Sequence, residues 1–128
     1  MKDGFINAIN EGYQKFEGPS ILAGAGMIEG EAQPEAEVRI PLKTLNRHGL
    51  IAGATGTGKT VSLQVLAEQF SLQGIPVVLM DMKGDLSGLA APGTSNKHIV
   101  KRHSFLPEEY APKGFPLELL SLSGQQGT

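Results

Sequence analysis

The sequence lacks cysteine, a long hydrophobic run and a large net charge. The absence of cysteine excludes disulfides and thiolate metal sites. No stretch reaches the about 18 apolar residues of a transmembrane helix, and the amino terminus, with Asp3, lacks the apolar run of a signal peptide. A net charge of −2 gives no global attraction for nucleic acid, although it does not exclude a local basic strip. We therefore predict a cytoplasmic protein without a membrane partner.

Glycine, in contrast, is abundant, with 17 of 128 residues against a usual share of about 7%. One cluster stands out, "GATGTGKT" at residues 53–60, which fits the pattern G-x-x-x-x-G-K-[ST]. For a chain of this composition and length, a chance match to that pattern has a probability of roughly 1 to 2%. The cluster follows an apolar segment and opens an amphipathic one, so it predicts a phosphate-binding loop (P-loop, or Walker A motif).

The chemistry of phosphate binding accounts for the residue types in this loop. Gly53 permits a sharp exit from a strand, and Gly56 and Gly58 let the backbone curl around an anion. Lys59 reaches the terminal phosphates as a point charge, and the Thr60 hydroxyl suits Mg²⁺. We predict ATP and Mg²⁺ as cofactors, Thr60 as the metal ligand and Lys59 as a catalytic residue. The predicted nucleotide-binding residues are Gly53, Ala54, Thr55, Gly56, Thr57, Gly58, Lys59, Thr60 and Val61.

The segments around the loop predict a βαβ unit. "HGLIAG" (48–53) and "VVLMD" (77–81) are short apolar runs that are typical of buried parallel strands. Between them lies an amphipathic helix that Gly74 and Pro76 terminate. Its predicted apolar face consists of Leu63, Leu66, Ala67 and Phe70. A short helix at 97–103 and a third strand in "LELLSL" (117–122) are expected farther along the chain.

The amino-terminal part favours different elements. Apolar residues recur every three or four positions in residues 3–16, which predicts a helix. Residues 20–42 favour a small β-hairpin, in which "EVRIPL" alternates and Pro41 marks a strand edge or end. We predict the α/β fold class: a short helix and small β-hairpin over 1–44, then over 45–128 the first part of a RecA-like P-loop NTPase core with parallel strands, truncated before Walker B.

Asp81 follows the second predicted strand and leaves two interpretations open. As a Walker B acid, it would hold the Mg²⁺ shell; alternatively, the metal acid lies beyond this chain and the site is incomplete. The segment "DMKGD" (81–85) lies where α/β proteins place ligands. Asp81 or Asp85 is therefore a candidate catalytic carboxylate that orients water, and Lys83 is a candidate phosphate sensor. A solvated turn with a structural aspartate explains the segment equally well.

Residues 45–93, "LNRHGLIAGATGTGKTVSLQVLAEQFSLQGIPVVLMDMKGDLSGLAAPG", resemble the bacterial HerA-like P-loop ATPases of the HerA/FtsK superfamily. The run "NRHGLIAGATGTGKT" followed by "DMKGDLSGLA" carries the resemblance, which weakens after about residue 104. It implies RecA-like cores in hexameric rings that hydrolyse ATP to move on or unwind DNA. It also implies that this chain is an amino-terminal piece of a longer ATPase and is inactive alone.

Two rival functions remain open from the sequence. A small P-loop phosphotransferase would use Asp81 as its metal acid and would turn over without further chain. A non-catalytic assembly module would use exposed strand edges to pair with another copy as a dimer. Guanine specificity is disfavoured, because "NKHI" has Ile99 where a guanine-binding motif has an acid.

Overall fold

A computed structural model describes residues 1–104 and 110–121, apart from the side chain of Arg102. The chain divides into two compact units. The first comprises Met1–Ala52 and Ser95–Tyr110, and the second comprises Gly53–Thr94 and Ala111–Thr128. Among the helices in the described ranges, none is long and apolar enough to cross a bilayer.

The first unit is built on the predicted hairpin. Strand β1 (Ser20–Ile28) pairs antiparallel with β2 (Glu31–Pro41). Glu29 and Gly30 connect them with φ values of 53° and 81°. Two positive φ angles are typical of the tight turn whose twist matches that of the flanking strands. The hairpin prediction is confirmed, and Pro41 ends β2 as expected.

Strand β2 begins earlier than the alternation in "EVRIPL" indicated. Its pairing steps from Ala25–Glu37 to Met27–Ala32, so extra residues of β2 bulge out at this point. Pro34 lies within this irregular stretch. A two-stranded sheet has only edge strands, where the missing amide hydrogen of proline is tolerated.

Helix α1 (Lys2–Tyr13) packs against both strands. It ends three residues before the predicted boundary, and the Gln14 side-chain amide at this end donates to the Glu37 carbonyl oxygen at 3.3 Å. An isolated hairpin is only marginally stable in water, so the packing of α1 supplies much of the stability of this hairpin. Among the described residues of the first unit, the buried side chains are Ile6, Ile21, Leu22, Gln33 and Ala36.

In the second unit, helix α2 (Lys59–Leu72) confirms the helix predicted between the two apolar runs. Its carboxyl end closes at Gly74, which has a φ of 72°. The Gly74 amide donates to the Ser71 carbonyl and the Ile75 amide to the Phe70 carbonyl, each at 3.0 Å. This pair of bonds is the Schellman motif that glycine favours. The predicted apolar face is only partly covered, because Ala67 alone is buried on α2.

The parallel strands predicted at 48–53 and 77–81 are not present as strands. Across residues 1–104 and 110–121, the sheet of two antiparallel strands is the only one. Leu50, Val78 and Met80 are about nine-tenths exposed, at 89%, 91% and 87%. A parallel strand satisfies its backbone groups only in a neighbouring strand. An apolar run therefore indicates a segment that burial would stabilise. It does not indicate which strand would pair with that segment.

The remaining predictions concern the carboxyl-terminal part. Helix α3 (Lys97–His103) confirms the short helix expected there. Residues 117–121 are not in a strand, and residue 122, the last of that prediction, lies outside the described residues. In the second unit a 3₁₀ helix, Ser87–Ala90, is joined to the later segment by the Phe115 amide, which donates to the Leu89 carbonyl at 2.9 Å.

Candidate functional site

Two glycines in the loop at 53–58 have left-handed backbone conformations. Gly56 and Gly58 have φ values of 80° and 96°. A side chain at either position would be strained, although a Cβ there would meet nothing within 4 Å. The loop is thus an open curve of backbone that a bulky group can approach. The open space beside both glycines is compatible with the close approach of a phosphate group, as the predicted nucleotide requires.

Two side chains donate hydrogen bonds to the carbonyl oxygen of Ala54 within the loop. The Thr57 hydroxyl donates to this oxygen at 2.8 Å, and the Lys59 ammonium donates to it at 2.6 Å. A Cβ at Gly53 would lie 2.5 Å from the Thr57 hydroxyl oxygen, so glycine permits this close approach. Lys59 is therefore held over the loop, and an ammonium has two further donors for an anion.

The loop leads directly into the amino terminus of α2. Gly58 is the N-cap residue and provides no side-chain cap. The first turn of a helix presents amides without intrahelical partners and a partial positive charge. Thr60 is half-buried in this turn, whereas Thr55 and Val61 are exposed. An anion bound at residues 56–61 would meet these amides and the Lys59 ammonium together.

Asp81 organises the turn that follows it. One carboxylate oxygen accepts the amides of Lys83, Gly84 and Asp85 at 3.1, 2.7 and 3.3 Å, and the other accepts the amide of Leu86 at 2.9 Å. The amide of Leu86 contributes most to holding the pKa of the Asp81 carboxyl below its ordinary value, against an opposing effect of desolvation. In this arrangement the Asp81 carboxylate serves the turn itself, as the structural interpretation of the segment expects.

Asp85 lies beside α2, because the Gln64 side-chain amide donates to its carbonyl oxygen at 3.0 Å. Gln64 follows Thr60 by one helical turn, so the two share a face of the helix. The structure thus brings Asp85 to the helix that carries Lys59 and Thr60. Within the ranges that the structure describes, neither the Asp85 carboxylate nor the Lys83 ammonium has a hydrogen-bonding or ionic partner.

Sequence reasoning missed Gln64. A glutamine on a helix has no pattern that distinguishes a residue tying down a loop from a solvated one. Its spacing of four from Thr60 was the one available signal. In the described part of the chain, no three acidic or histidine side chains form a group that would hold a metal ion.

Comparison with known proteins provides the family. A family model described as Helicase HerA-like C-terminal matches residues 27–128. Because this match covers most of the chain, the chain belongs to the HerA-like family. Neither curated proteins nor solved structures give a significant match. The matched range includes the loop at 53–58, helix α2 and the turn organised by Asp81.

Proposed function

We propose that residues 53–61 bind Mg-ATP and that the protein acts as a HerA-like ATPase whose hydrolysis of ATP drives movement along DNA or its unwinding. The observation that carries the proposal is the left-handed backbone at Gly56 and Gly58 immediately before the uncapped start of α2. Family membership supports the wider activity. A cytoplasmic location is part of this proposal.

The roles of the residues follow from their positions. The amides at the start of α2 would receive the phosphate oxygens, and the Lys59 ammonium would exchange the Ala54 carbonyl for a phosphate oxygen. The Thr60 hydroxyl would hold Mg²⁺, which keeps most of its ligands as water and phosphate oxygens. The bound metal supplies positive charge beside the phosphates. Catalysis of this kind is positional and electrostatic.

The two candidate carboxylates receive different roles. The Asp85 carboxylate, without a partner in the described ranges, is the better candidate for orienting a water molecule. The Asp81 carboxylate already accepts four amides of its own turn, which leaves it less free than Asp85 to serve a metal. This arrangement disfavours the phosphotransferase that uses Asp81 as its metal acid.

We also propose that residues 48–53 and 77–81 become strands of a parallel core when the protein assembles into oligomers. Their exposed apolar side chains support this, because burying one such side chain contributes about 1.5–3 kcal/mol. Hydrogen exchange on the natural full-length protein tests it. Slow exchange at residues 77–81 that depends on protein concentration is expected, and fast exchange at every concentration contradicts the proposal.

The substitution Lys59→Ala tests the nucleotide site. We expect the affinity for Mg-ATP, measured by calorimetry, to fall roughly ten- to hundredfold, because a charge-assisted hydrogen bond to phosphate is lost. Lys43→Ala is the matched control, since Lys43 is an exposed lysine of the 3₁₀ helix Leu42–Thr44. Unchanged micromolar affinity in Lys59→Ala would refute binding at this loop.

DNA tests the wider activity. ATP hydrolysis by the natural full-length protein should increase when duplex DNA is added and return to its basal rate when the DNA is digested. An ATPase rate that is the same with and without DNA would refute the proposed DNA motor. The protein would then be a nucleotide-binding protein of another kind.

A further inference from the structure

One hydrogen bond ties the helix of the proposed nucleotide site to a separate turn. The Gln64 side-chain amide of α2 donates to the Asp85 carbonyl oxygen at 3.0 Å, across 21 residues of sequence. Gln64 lies four residues after Thr60, a rise of about 6 Å along the helix axis. Gln64 therefore lies one helical turn after Thr60, and the Asp85 carbonyl oxygen of the turn lies at its side-chain amide.

The turn held by this bond is already shaped from within. The Asp81 carboxylate accepts four successive backbone amides, and Gly84 takes a φ of 76° that favours glycine. A bond to one carbonyl of a preformed turn positions the whole turn. Since Gln64 bonds to the backbone of Asp85, it leaves the carboxylate of that residue available.

We propose that Gln64 is a positioning residue that holds the 82–86 turn against α2 so that Lys83 and Asp85 read the terminal phosphate of a nucleoside triphosphate. This inference depends on the proposed nucleotide binding. ATP and ADP share the α- and β-phosphates that the loop at 53–58 would hold, so contacts at the γ-phosphate beyond that of Lys59 would increase the preference for ATP. The turn brings one cation and one carboxylate, neither partnered among the described residues, to the helix that carries Lys59 and Thr60.

The test compares two affinities in the natural full-length protein. Calorimetry with Mg²⁺ measures the Kd of ADP and the Kd of a non-hydrolysable ATP analogue for wild type, Gln64→Ala and Gln64→Glu. Gln64→Glu keeps the size of the side chain but replaces the donor with an acceptor. Gln69→Ala is the matched control, because Gln69 is a half-buried glutamine on the same helix whose side chain makes no hydrogen bond within residues 1–104 and 110–121.

We expect both Gln64 variants to bind the ATP analogue roughly three- to tenfold more weakly, which is the effect of one lost hydrogen bond. ADP should bind within about twofold of wild type, and Gln69→Ala should change neither Kd. Equal weakening of both nucleotides would show a merely structural role and overturn the proposal, as would unchanged affinities. If wild type binds neither nucleotide, the proposed function itself fails and this inference with it.

Discussion

The hairpin unit and the unit that carries the glycine loop show how differently two parts of one chain reach their structure. In the first, β1 and β2 are neighbours in sequence and satisfy each other's backbone groups. In the second, the apolar run at 77–81 is as hydrophobic as a core strand yet lies exposed. The two regions differ in where the hydrogen-bonding strand comes from. A hairpin contains both of its strands, whereas a parallel strand pairs with a segment elsewhere in the sequence.

The largest effect is expected from breaking the core of the hairpin unit. Ile21 is fully buried on β1, opposite Ile40. Ile21→Ala removes buried carbon and leaves a cavity, so we expect the free energy of unfolding to fall by about 2–5 kcal/mol. Urea unfolding followed by far-UV circular dichroism measures it.

The control for this substitution lies on the same strand. Met27 is 60% exposed, and Met27→Ala should change the free energy of unfolding by less than about 0.5 kcal/mol. If both variants lost the same small amount, the hairpin unit would not have the packed core that distinguishes it from the second unit.

A smaller effect is expected in the second unit, where residues distant in sequence meet at Gly114. A Cβ at Gly114 would overlap the backbone carbonyl of Ala90, next to the bond from the Phe115 amide to the Leu89 carbonyl. Gly114→Ala should therefore separate these segments and cost about 1–3 kcal/mol, as overpacking does. Faster hydrogen exchange of the Phe115 amide is the direct measurement.

Gly88 provides the comparison for Gly114, because it lies in the same contact region, on the 3₁₀ helix Ser87–Ala90, but has open space where a Cβ would be. Gly88→Ala should leave the Phe115 amide protected. Loss of protection in both variants would mean that the 3₁₀ helix, rather than the close approach at Gly114, limits this contact.

These contrasts also explain how much the sequence could predict. Alternation in "EVRIPL" and the helical spacing in residues 3–16 are local signals, and the elements that they predicted are present. The apolar run at 77–81 predicted burial and thereby a strand, but no local signal names the strand that would pair with it. The length of β2 was underestimated because Pro34 disfavours a strand except at an edge.

In the candidate site, too, features with a local sequence signal were predicted and features that depend on distant residues were not. The positive φ angles of Gly56 and Gly58 are ones that their residue type permits, since glycine has no Cβ. The Gln64 side chain donates to the backbone carbonyl of residue 85, which a residue of any type at that position would provide. The sequence therefore contains no pair of residue types that predicts this contact. An acid after an apolar run suggested a metal ligand, whereas the Asp81 carboxylate bonds to amides of its own turn.

The smallest expected effect is a pH-dependent change in stability at Glu68, which tests how well the second unit buries its side chains. Burial raises the pKa of Glu68 on α2, and the charge of Lys113 lowers it by less. The folded state therefore favours the protonated acid, whose stabilising contribution is present below the ordinary glutamate pKa and is lost as pH rises through the folded pKa. Glu68→Gln mimics the protonated form, so it should raise the free energy of unfolding near neutral pH by at most about 0.5 kcal/mol.

At acidic pH, Glu68→Gln should match wild type, because Glu68 is then protonated in both the folded and unfolded states. Glu118, an exposed acid of the same unit, provides the control. Glu118→Gln should leave the pH profile of urea unfolding unchanged. A lower stability of Glu68→Gln at neutral pH would mean that attraction to Lys113 outweighs burial, and that this face of α2 is already solvated in the way that the exposed run at 77–81 is.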